Sequence, residues 1–328
     1  MRSRLEWRKA RVVETRTIAE DVRAVTFAVE GLPAGFDPGS HTNIKVRING
    51  EPVIRTYTVL PGPPGTLSIA AKRHPNSRGG SVFIWQLQPG DDTELTEPEN
   101  RFELSWRASR YLLIAGGIGI TPIYGMAKTL ASRGQKLRLA YAAKSRRQMA
   151  FLDELAALLG DGLQVFAQDD GEALDLDSEF AALPPDGEAY ICGPLGLLEA
   201  AQQAWQKSGR STSRLRYEVF GDNGRFVEQA FDVEVAKLGA HVRVRADQSM
   251  LDVLVEAGVD MVFDCRRGEC GLCAVNIVKA DGVIDHRDVF FSEAERQENS
   301  RMCACVSRAC GGRIVIDTGY RPDLPAAE

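Results

Sequence analysis

Between Trp7 and Leu104, apolar and polar residues alternate in short runs closed by turn residues: ARVVETRTI, VRAVTFAVE, HTNIKVRI, VIRTYTVL and TLSIAAKR. Side chains along a strand point to opposite faces in turn, so this period of two predicts half-buried antiparallel strands. INGE, from Ile48 to Glu51, supplies an Asn-Gly hairpin turn, and a small barrel or sandwich is expected. Near Arg110 the pattern changes. Apolar runs YLLIAGG, KLRLAYAAK, LQVFAQ and AYICG alternate with helical segments ITPIYGMAKTLASRG, QMAFLDELAALLG and PLGLLEAAQQAWQKSG, which predicts a parallel α/β sheet over roughly residues 108 to 220. FGDNGRFVEQ reads as a linker. Beyond it, FDVEVAKLGAHVRVRA reads as a hairpin, SMLDVLVEAGVD as a short helix capped by Ser249, and RIVIDT as a closing strand. Three domains are therefore expected, at 1–106, 107–225 and 226–328.

A length of 328 residues agrees with that division, being too great for one core of ordinary size. Hydrophobic content of 44%, charged content of 26% and a mean hydropathy of -0.20 belong to a globular protein. The net charge is -5, the pI is near 5.6 and there is no long basic run, so nucleic acid and anionic membrane are not expected partners. The opening MRSRLEWRKARVVETRT lacks the apolar core of a signal peptide, and no run approaches the ~18 apolar residues of a membrane span. A cytoplasmic location is expected.

Six of the seven cysteines lie in the last 64 residues, which in a reducing compartment points to metal ligation before disulfides. DCRRGECGLCAV places Cys265, Cys270 and Cys273 in a C-x4-C-x2-C array with Gly268 and Gly271 between them. With a distant fourth cysteine this is the plant-type [2Fe-2S] spacing, in which glycines let backbone N–H groups approach the sulfurs. A structural zinc site is the plainer alternative, but zinc ribbons bring two C-x2-C pairs, and here there is one. Two candidates exist for the fourth ligand, in RMCACVSRAC. Counting residues favours Cys303, at C-x29-C; loop length is cheap to vary, so local sequence around Cys305 weighs as well.

RTYT, from Arg55 to Thr58, and RGGS, from Arg78 to Ser81, carry candidate flavin chemistry. Arg55 offers a fork to phosphate, Tyr57 a ring to lie along an isoalloxazine, and Thr58 a hydroxyl to its edge. The RGGS segment adds backbone N–H groups, a guanidinium and a hydroxyl. AGGIGITP, from Ala115 to Pro122, follows a buried strand and opens a helix, where glycines admit a pyrophosphate. ICGP, from Ile191 to Pro194, ends another strand at the ligand-binding edge, with Cys192 able to face a nicotinamide. Its plainer reading is a buried small residue.

RTYT, RGGS, GGIGITP, CGP, YEVFG and C-x4-C-x2-C with a late CVSR, in this order, resemble the phthalate dioxygenase reductase family over essentially the whole chain. The resemblance implies a flavin-binding antiparallel β-barrel, a ferredoxin-reductase-type α/β NAD domain and a C-terminal β-grasp [2Fe-2S] ferredoxin domain. It makes Arg55, Thr56, Tyr57, Thr58, Lys72, Arg78, Gly79, Gly80 and Ser81 flavin contacts. It makes Gly116, Gly117, Gly119, Thr121, Cys192, Gly193 and Pro194 nucleotide contacts, with Glu218 and Phe220 beside the flavin. Thr58, Cys192, Glu218 and Phe220 are then the residues at the reacting atoms. The family's fourth ligand precedes V-S-R or C-S-R, which selects Cys305 to join Cys265, Cys270 and Cys273, and Asp285, His286, Arg287 and Asp288 form a DHRD of structural or partner-facing kind.

The implied activity is NADH-dependent electron transfer through FMN and the cluster to a Rieske non-haem iron oxygenase. NADH yields two electrons as hydride and the cluster accepts one at a time, so a flavin between them resolves the mismatch. FMN is preferred to FAD because no adenine-stacking segment is evident. NADH is preferred to NADPH, although KSRR, from Lys144 to Arg147, could meet a 2′-phosphate. Two rivals are a reductase serving a cytochrome P450 and, in another class, a zinc-stabilised redox-sensing or binding protein.

Overall fold

The computed structural model describes residues 6–32, 35–74, 77, 79–220 and 226–319. The alternating N-terminal runs form β1 (Trp7–Ala19), β2 (Val22–Val29), β3 (Ser40–Ile48), β4 (Glu51–Leu60), β5 (Thr66–Lys72), β6 (Asp92–Thr96) and β7 (Glu99–Asn100), with α1 (Gly80–Gln86) before β6. The strand order is β4-β5-β2-β1-β6-β3-β7, and β3 also pairs with β4, so six strands close into a barrel with no free edge between them. The alternate residues Val25, Phe27, Ile44, Val46, Leu67 and Ile69, joined by Ile84 of α1, fill it. At the β3–β4 hairpin Ile48 faces Glu51, and Asn49 and Gly50 both take positive φ, 54° and 87°. That is the turn whose twist matches paired strands and whose central residues favour Asn-Gly.

The second pattern gives β8 (Tyr111–Gly116), α2 (Ile120–Ser132), β9 (Leu137–Ala143), α3 (Leu152–Leu159), β10 (Leu163–Ala167), α4 (Leu176–Ala182), β11 (Glu188–Gly193), α5 (Leu195–Lys207) and β12 (Leu215–Val219). They form a sheet in the order β10-β9-β8-β11-β12, parallel across β10, β9, β8 and β11. Every residue of β8 and β11 is buried, as continuous apolar runs in a two-sided sheet require. The chain fills one side of β8 before crossing to the other, so a topological switch point lies at the carboxyl ends of β8 and β11. The sequence pattern did not announce α1 or α4. Each has seven residues, too few for a helical period to stand out, and α4 is set locally by Asp175, whose side chain accepts from Ser178 N–H.

The C-terminal region contains β13 (Phe231–Val235), β14 (Ala240–Val244), α6 (Met250–Glu256), β15 (Ala274–Ala280), β16 (Ile284–Asp285), α7 (Glu293–Glu298), β17 (Arg301–Cys303), β18 (Arg308–Ala309) and β19 (Arg313–Asp317). The main sheet runs β14-β13-β19-β15-β17, with β13 and β19 parallel, and β16 pairs with β18. Ser249 caps α6, its Oγ accepting from Asp252 N–H at 3.1 Å. Met250, Leu251 and Leu254 of that helix join Phe231, Val233, Ile314 and Ile316 in one core, a helix laid across a mixed sheet in β-grasp fashion.

The chain divides into two compact units, Met1–Glu218 and Val219–Glu328. Barrel and parallel sheet share the first. Between them, an ideal Cβ on Gly39 would lie 2.2 Å from the Phe102 carbonyl oxygen and 3.2 Å from Met126 of α2, so only glycine permits that approach. Among the described residues no helix is long and apolar enough to cross a membrane.

Candidate functional site

The flavin candidates converge at one end of β4. An ideal Cβ on Gly80 would fall 2.9 Å from Arg55 Cγ and 3.1 Å from its Nε, so the Arg55 stem lies directly across the start of α1. Gly79 occupies left-handed backbone at φ 88°, and Ser77 Oγ accepts from Gly79 N–H at 3.1 Å and from Ser81 Oγ at 2.9 Å. A guanidinium, hydroxyls and backbone N–H groups thus gather as an anion would need them. Tyr57 is half-buried and Thr58 buried on the same strand. Arg78 lies outside the described residues. Two expected contacts are otherwise engaged: Thr56 Oγ1 donates to Asn43 Oδ1 at 2.8 Å, and Lys72 Nζ pairs with Asp21 at 3.3 Å. Asn43 sits on the neighbouring strand β3 and Asp21 in the turn between β1 and β2, which RTYT and the run before RGGS do not reveal.

The nucleotide candidates meet at the switch point. An ideal Cβ on Gly116 would lie 2.7 Å from Pro194 Cδ, one on Gly119 would lie 2.1 Å from the Cys192 carbonyl oxygen, and one on Gly193 would lie 3.1 Å from Gly116 Cα. Two glycine turns therefore touch backbone to backbone, and Gly117 stands at φ 54° with open space where its Cβ would be. This forms a crevice at the sheet's carboxyl edge, beside the start of the 13-residue α2, where N–H groups and the helix dipole favour anionic phosphate. Cys192 has no exposed surface. Thr121 links the two halves: its hydroxyl lies 3.1 Å from the Ile118 carbonyl and 3.4 Å from Thr58 Oγ1 of the barrel. Glu218 is buried near the end of β12, and Phe220 belongs to the second unit.

Within the second unit five thiols gather. Cys265 is hydrogen-bonded to Cys270, and Cys273 to both Cys303 and Cys305. Backbone N–H groups aim at the same sulfurs: Arg267 N–H reaches Cys265 Sγ at 3.4 Å, joined there by those of Glu269 and Cys270, and Gly268 N–H serves Cys305. Burial pushes the Cys265 thiol up, whereas hydrogen bonds from Cys303 and then Cys305 pull Cys273 down to about 4. The bond to Cys273, followed by burial, raises both Cys303 and Cys305. Among the described residues no three Cys, His, Asp or Glu side chains close on a single-ion site. The thiols instead form two groups, as two irons sharing four thiolates require, and the inward N–H groups suit an anionic cluster; the donor set fits [2Fe-2S].

The loop can take this path because of its glycines. Gly268 at φ 74° and Gly271 at φ 71° would place a Cβ 2.6 Å from Val306 and 2.3 Å from the Phe290 ring. DHRD has a structural role: Arg287 Nε donates to Asp285 at 2.8 Å, its Nη1 to Glu228 at 2.6 Å, and Ser307 Oγ donates to Asp288 at 2.8 Å while accepting from Arg287 N–H. Arg308, 2% exposed, adds bonds to the Gln229 and Arg245 carbonyls. Arg308 escaped sequence reading because a lone Arg in CVSRAC carries no periodic signal. Cys310 is half-buried beyond them.

Three family models cover the chain: an oxidoreductase FAD-binding domain at 9–104, an oxidoreductase NAD-binding domain at 113–203 and a 2Fe-2S iron-sulfur cluster binding domain at 233–310. A putative toluene-4-sulfonate monooxygenase system reductase subunit of Comamonas testosteroni is 34% identical over 314 residues, 93% of this chain and 97% of that one. The solved phthalate dioxygenase reductase, described as a modular structure for electron transfer from pyridine nucleotides to [2Fe-2S], matches with TM-score 0.78 at 29% identity, covering 95% and 98% of the two chains. An intact type IV self-sufficient cytochrome P450 monooxygenase matches at 34% identity and TM-score 0.66 over 94% of this chain, which spans only 41% of that longer one. With a flavin-binding, an NAD-binding and a 2Fe-2S domain in one order, the chain belongs to the phthalate dioxygenase reductase family of NAD(P)H-dependent flavin and iron–sulfur oxidoreductases.

Proposed function

We propose that this chain is the cytoplasmic reductase of a Rieske-type oxygenase system, taking electrons from NADH through FMN and a [2Fe-2S] cluster. The observation that carries the reading is the presence, in one chain, of a glycine crevice beside a flavin-type barrel and a nest of N–H groups around paired thiols. When bound, the flavin accepts a hydride and releases electrons singly. The protein's part is to seat and orient. Arg55 and Ser81 hold the flavin phosphate with Gly79 and Gly80, and Tyr57 and Thr58 meet the ring. Gly116, Gly117, Gly119, Thr121, Gly193 and Pro194 cradle the nucleotide, with Cys192 behind it and Glu218 beside the reacting atoms. Lys72 and Thr56 support the barrel through Asp21 and Asn43.

Cys265, Cys270, Cys273 and Cys305 hold the irons. Both thiols adjoin Cys273, and Cys305 is favoured because it also takes the Gly268 N–H and lies near Cys265, whereas Cys303 has the Asp288 carboxylate beside it. Preference for NADH is supported by Arg146, which donates to Asp170 and Glu172 at 2.8 Å each, placing carboxylates where a 2′-phosphate would seek a cation. A P450-type acceptor is the second reading, favoured by the self-sufficient P450 likeness.

The test is anaerobic reduction of the reconstituted chain. NADH should bleach the flavin and give a rhombic reduced-cluster EPR signal, kept in Cys303→Ala and lost in Cys305→Ala, with NADPH at least tenfold slower. A fully loaded wild type that bleaches yet shows no cluster signal would refute the electron chain. Turnover with purified Rieske components but not with P450s supports the first acceptor class, and the reverse result selects the second.

A further inference from the structure

Two charged residues that are not ligands, Arg267 and Glu269, lie inside the cluster loop itself, between Cys265 and Cys270. Arg267 is 5% exposed, a burial that arginine takes only when paired, and its Nη2 stands 3.0 Å from Glu269 Oε2, on a side chain that keeps 21% of its surface. We infer that this ion pair sets the cluster's reduction potential: the buried Arg267 guanidinium holds it up, and Glu269 offsets part of that rise. The inference rests on the reading of Cys265 and Cys270 as cluster ligands and is independent of the choice between Cys303 and Cys305. The loop's own path places the charge. Arg267 N–H reaches Cys265 Sγ at 3.4 Å, so its side chain is too short to carry the guanidinium more than about 10 Å from that sulfur. The pair closes across Gly268, at φ 74°, whose carbonyl accepts from Val289 N–H at 3.0 Å and Phe290 N–H at 3.1 Å, which pins the turn. The neighbouring charges are engaged elsewhere. Arg266 pairs with Asp252 of α6, and Asp288, whose backbone packs on Gly268, is held by Ser307 Oγ and Phe291 N–H.

Reduction adds one negative charge to the cluster, so a fixed cation nearby stabilises the reduced state and a fixed anion opposes it. Water screens the two members of the pair unequally, and the more deeply buried guanidinium outweighs the carboxylate. At an effective dielectric of about 20, a unit charge about 10 Å away shifts the electron-addition equilibrium roughly tenfold. Neutralising Arg267 also leaves Glu269 unpaired, and neutralising Glu269 leaves Arg267 unpaired, so the two changes move the potential in opposite directions. Neither side chain supplies an iron–sulfur bond, and its exchange for an uncharged one of like size leaves the ligands in place.

The experiment is an EPR-monitored redox titration of the full chain, reconstituted with iron and sulfide, for wild type, Arg267→Gln, Arg267→Lys and Glu269→Gln, with iron content measured for each. Arg267→Gln is expected to lower the reduced-to-oxidised ratio at fixed potential about tenfold, ~59 mV for one electron. Glu269→Gln should raise that ratio several-fold, and Arg267→Lys, which keeps the charge, should stay near wild type. A distorted loop would not choose the sign of its effect by the charge removed. Glu269 is the less buried partner, so its variant decides the matter even where Arg267→Gln fails to fold or loses iron. Unchanged potentials in iron-loaded variants, a shift of Glu269→Gln downward, or a lysine variant as low as the glutamine one would overturn the inference while leaving the ligand reading intact. A wild type that holds two irons per chain yet gives no reduced-cluster signal would overturn the cluster reading itself.

Discussion

Single atoms decide whether the nucleotide crevice exists. Gly119 has an ordinary φ, so the demand for glycine there is one of space: an added Cβ would stand 2.1 Å from the Cys192 carbonyl oxygen and 2.4 Å from its carbon. Both belong to backbone at the end of a buried strand, which cannot swing aside as a surface side chain can. Gly119→Ala should therefore part the two glycine turns, at a cost of about 1–3 kcal/mol typical of overpacking. Nucleotide affinity should fall at least tenfold, while flavin content, set by the barrel, stays near wild type. Equilibrium titration with NADH and thermal unfolding measure the two effects. An undiminished affinity would place the nucleotide elsewhere.

Elements carry a different kind of information. The short helix α7 is held by a capping box: Ser292 Oγ accepts from Glu295 N–H at 3.3 Å, and the Glu295 carboxylate accepts from Ser292 N–H at 2.9 Å and Oγ at 2.7 Å. Those bonds, the side-chain one first, depress the Glu295 pKa below its ordinary 4.5. A depressed carboxyl stabilises the fold fully above its unfolded pKa and loses that contribution as pH falls through the folded one. Ser292→Ala should raise the Glu295 midpoint toward 4.5, read by NMR of its carboxyl carbon; an unchanged midpoint would show that the cap does not set it. Such local devices were legible in the sequence: the Asn49-Gly50 turn and the Ser249 cap follow from chemistry within four residues. Strand partners were not. Period-two alternation tells a strand which face to bury and not which neighbour to take, so the β3–β4 closure, the Asp21–Lys72 pair and the Asn43–Thr56 bond emerge only when distant strands meet. The cluster loop was legible as spacing, because C-x4-C-x2-C is local. The buried Arg308 that helps fix its surroundings was not, since its partners Gln229 and Arg245 lie up to 79 positions away.

At the scale of the first unit, the chain must hold the barrel against the parallel sheet so that flavin and nicotinamide meet. The segment between β7 and β8 makes that join. Ser105 N–H donates to Tyr190 Oη at 2.7 Å, Tyr190 Oη donates to Glu188 at 3.0 Å, Ser105 Oγ donates to the other Glu188 oxygen at 3.1 Å, and Tyr111 Oη donates to the Ser105 carbonyl at 2.9 Å. Arg216 stands 3.8 Å from the same carboxylate, and the Phe102 ring, against whose carbonyl Gly39 packs, lies 5.8 Å from that of Tyr190. A buried carboxylate thus ties the connecting segment to β11 from the inside. Tyr190→Phe deletes the central hydroxyl and leaves a Glu188 oxygen and the Ser105 N–H short of partners, which costs about 1–3 kcal/mol. The consequence for function is separable from that loss. If the network also sets the seat of the barrel, the variant should bind flavin and NADH as wild type does yet reduce its flavin several-fold more slowly, because hydride transfer is sensitive to misplacement on the order of 1 Å. Stopped-flow flavin reduction at saturating NADH, measured well below the variant's unfolding temperature, reads this directly. A lowered Tm with an unchanged reduction rate would mean that the network only stabilises the join, and that alignment of the two rings is set at the Thr58–Thr121 contact, where barrel and nucleotide turn already touch.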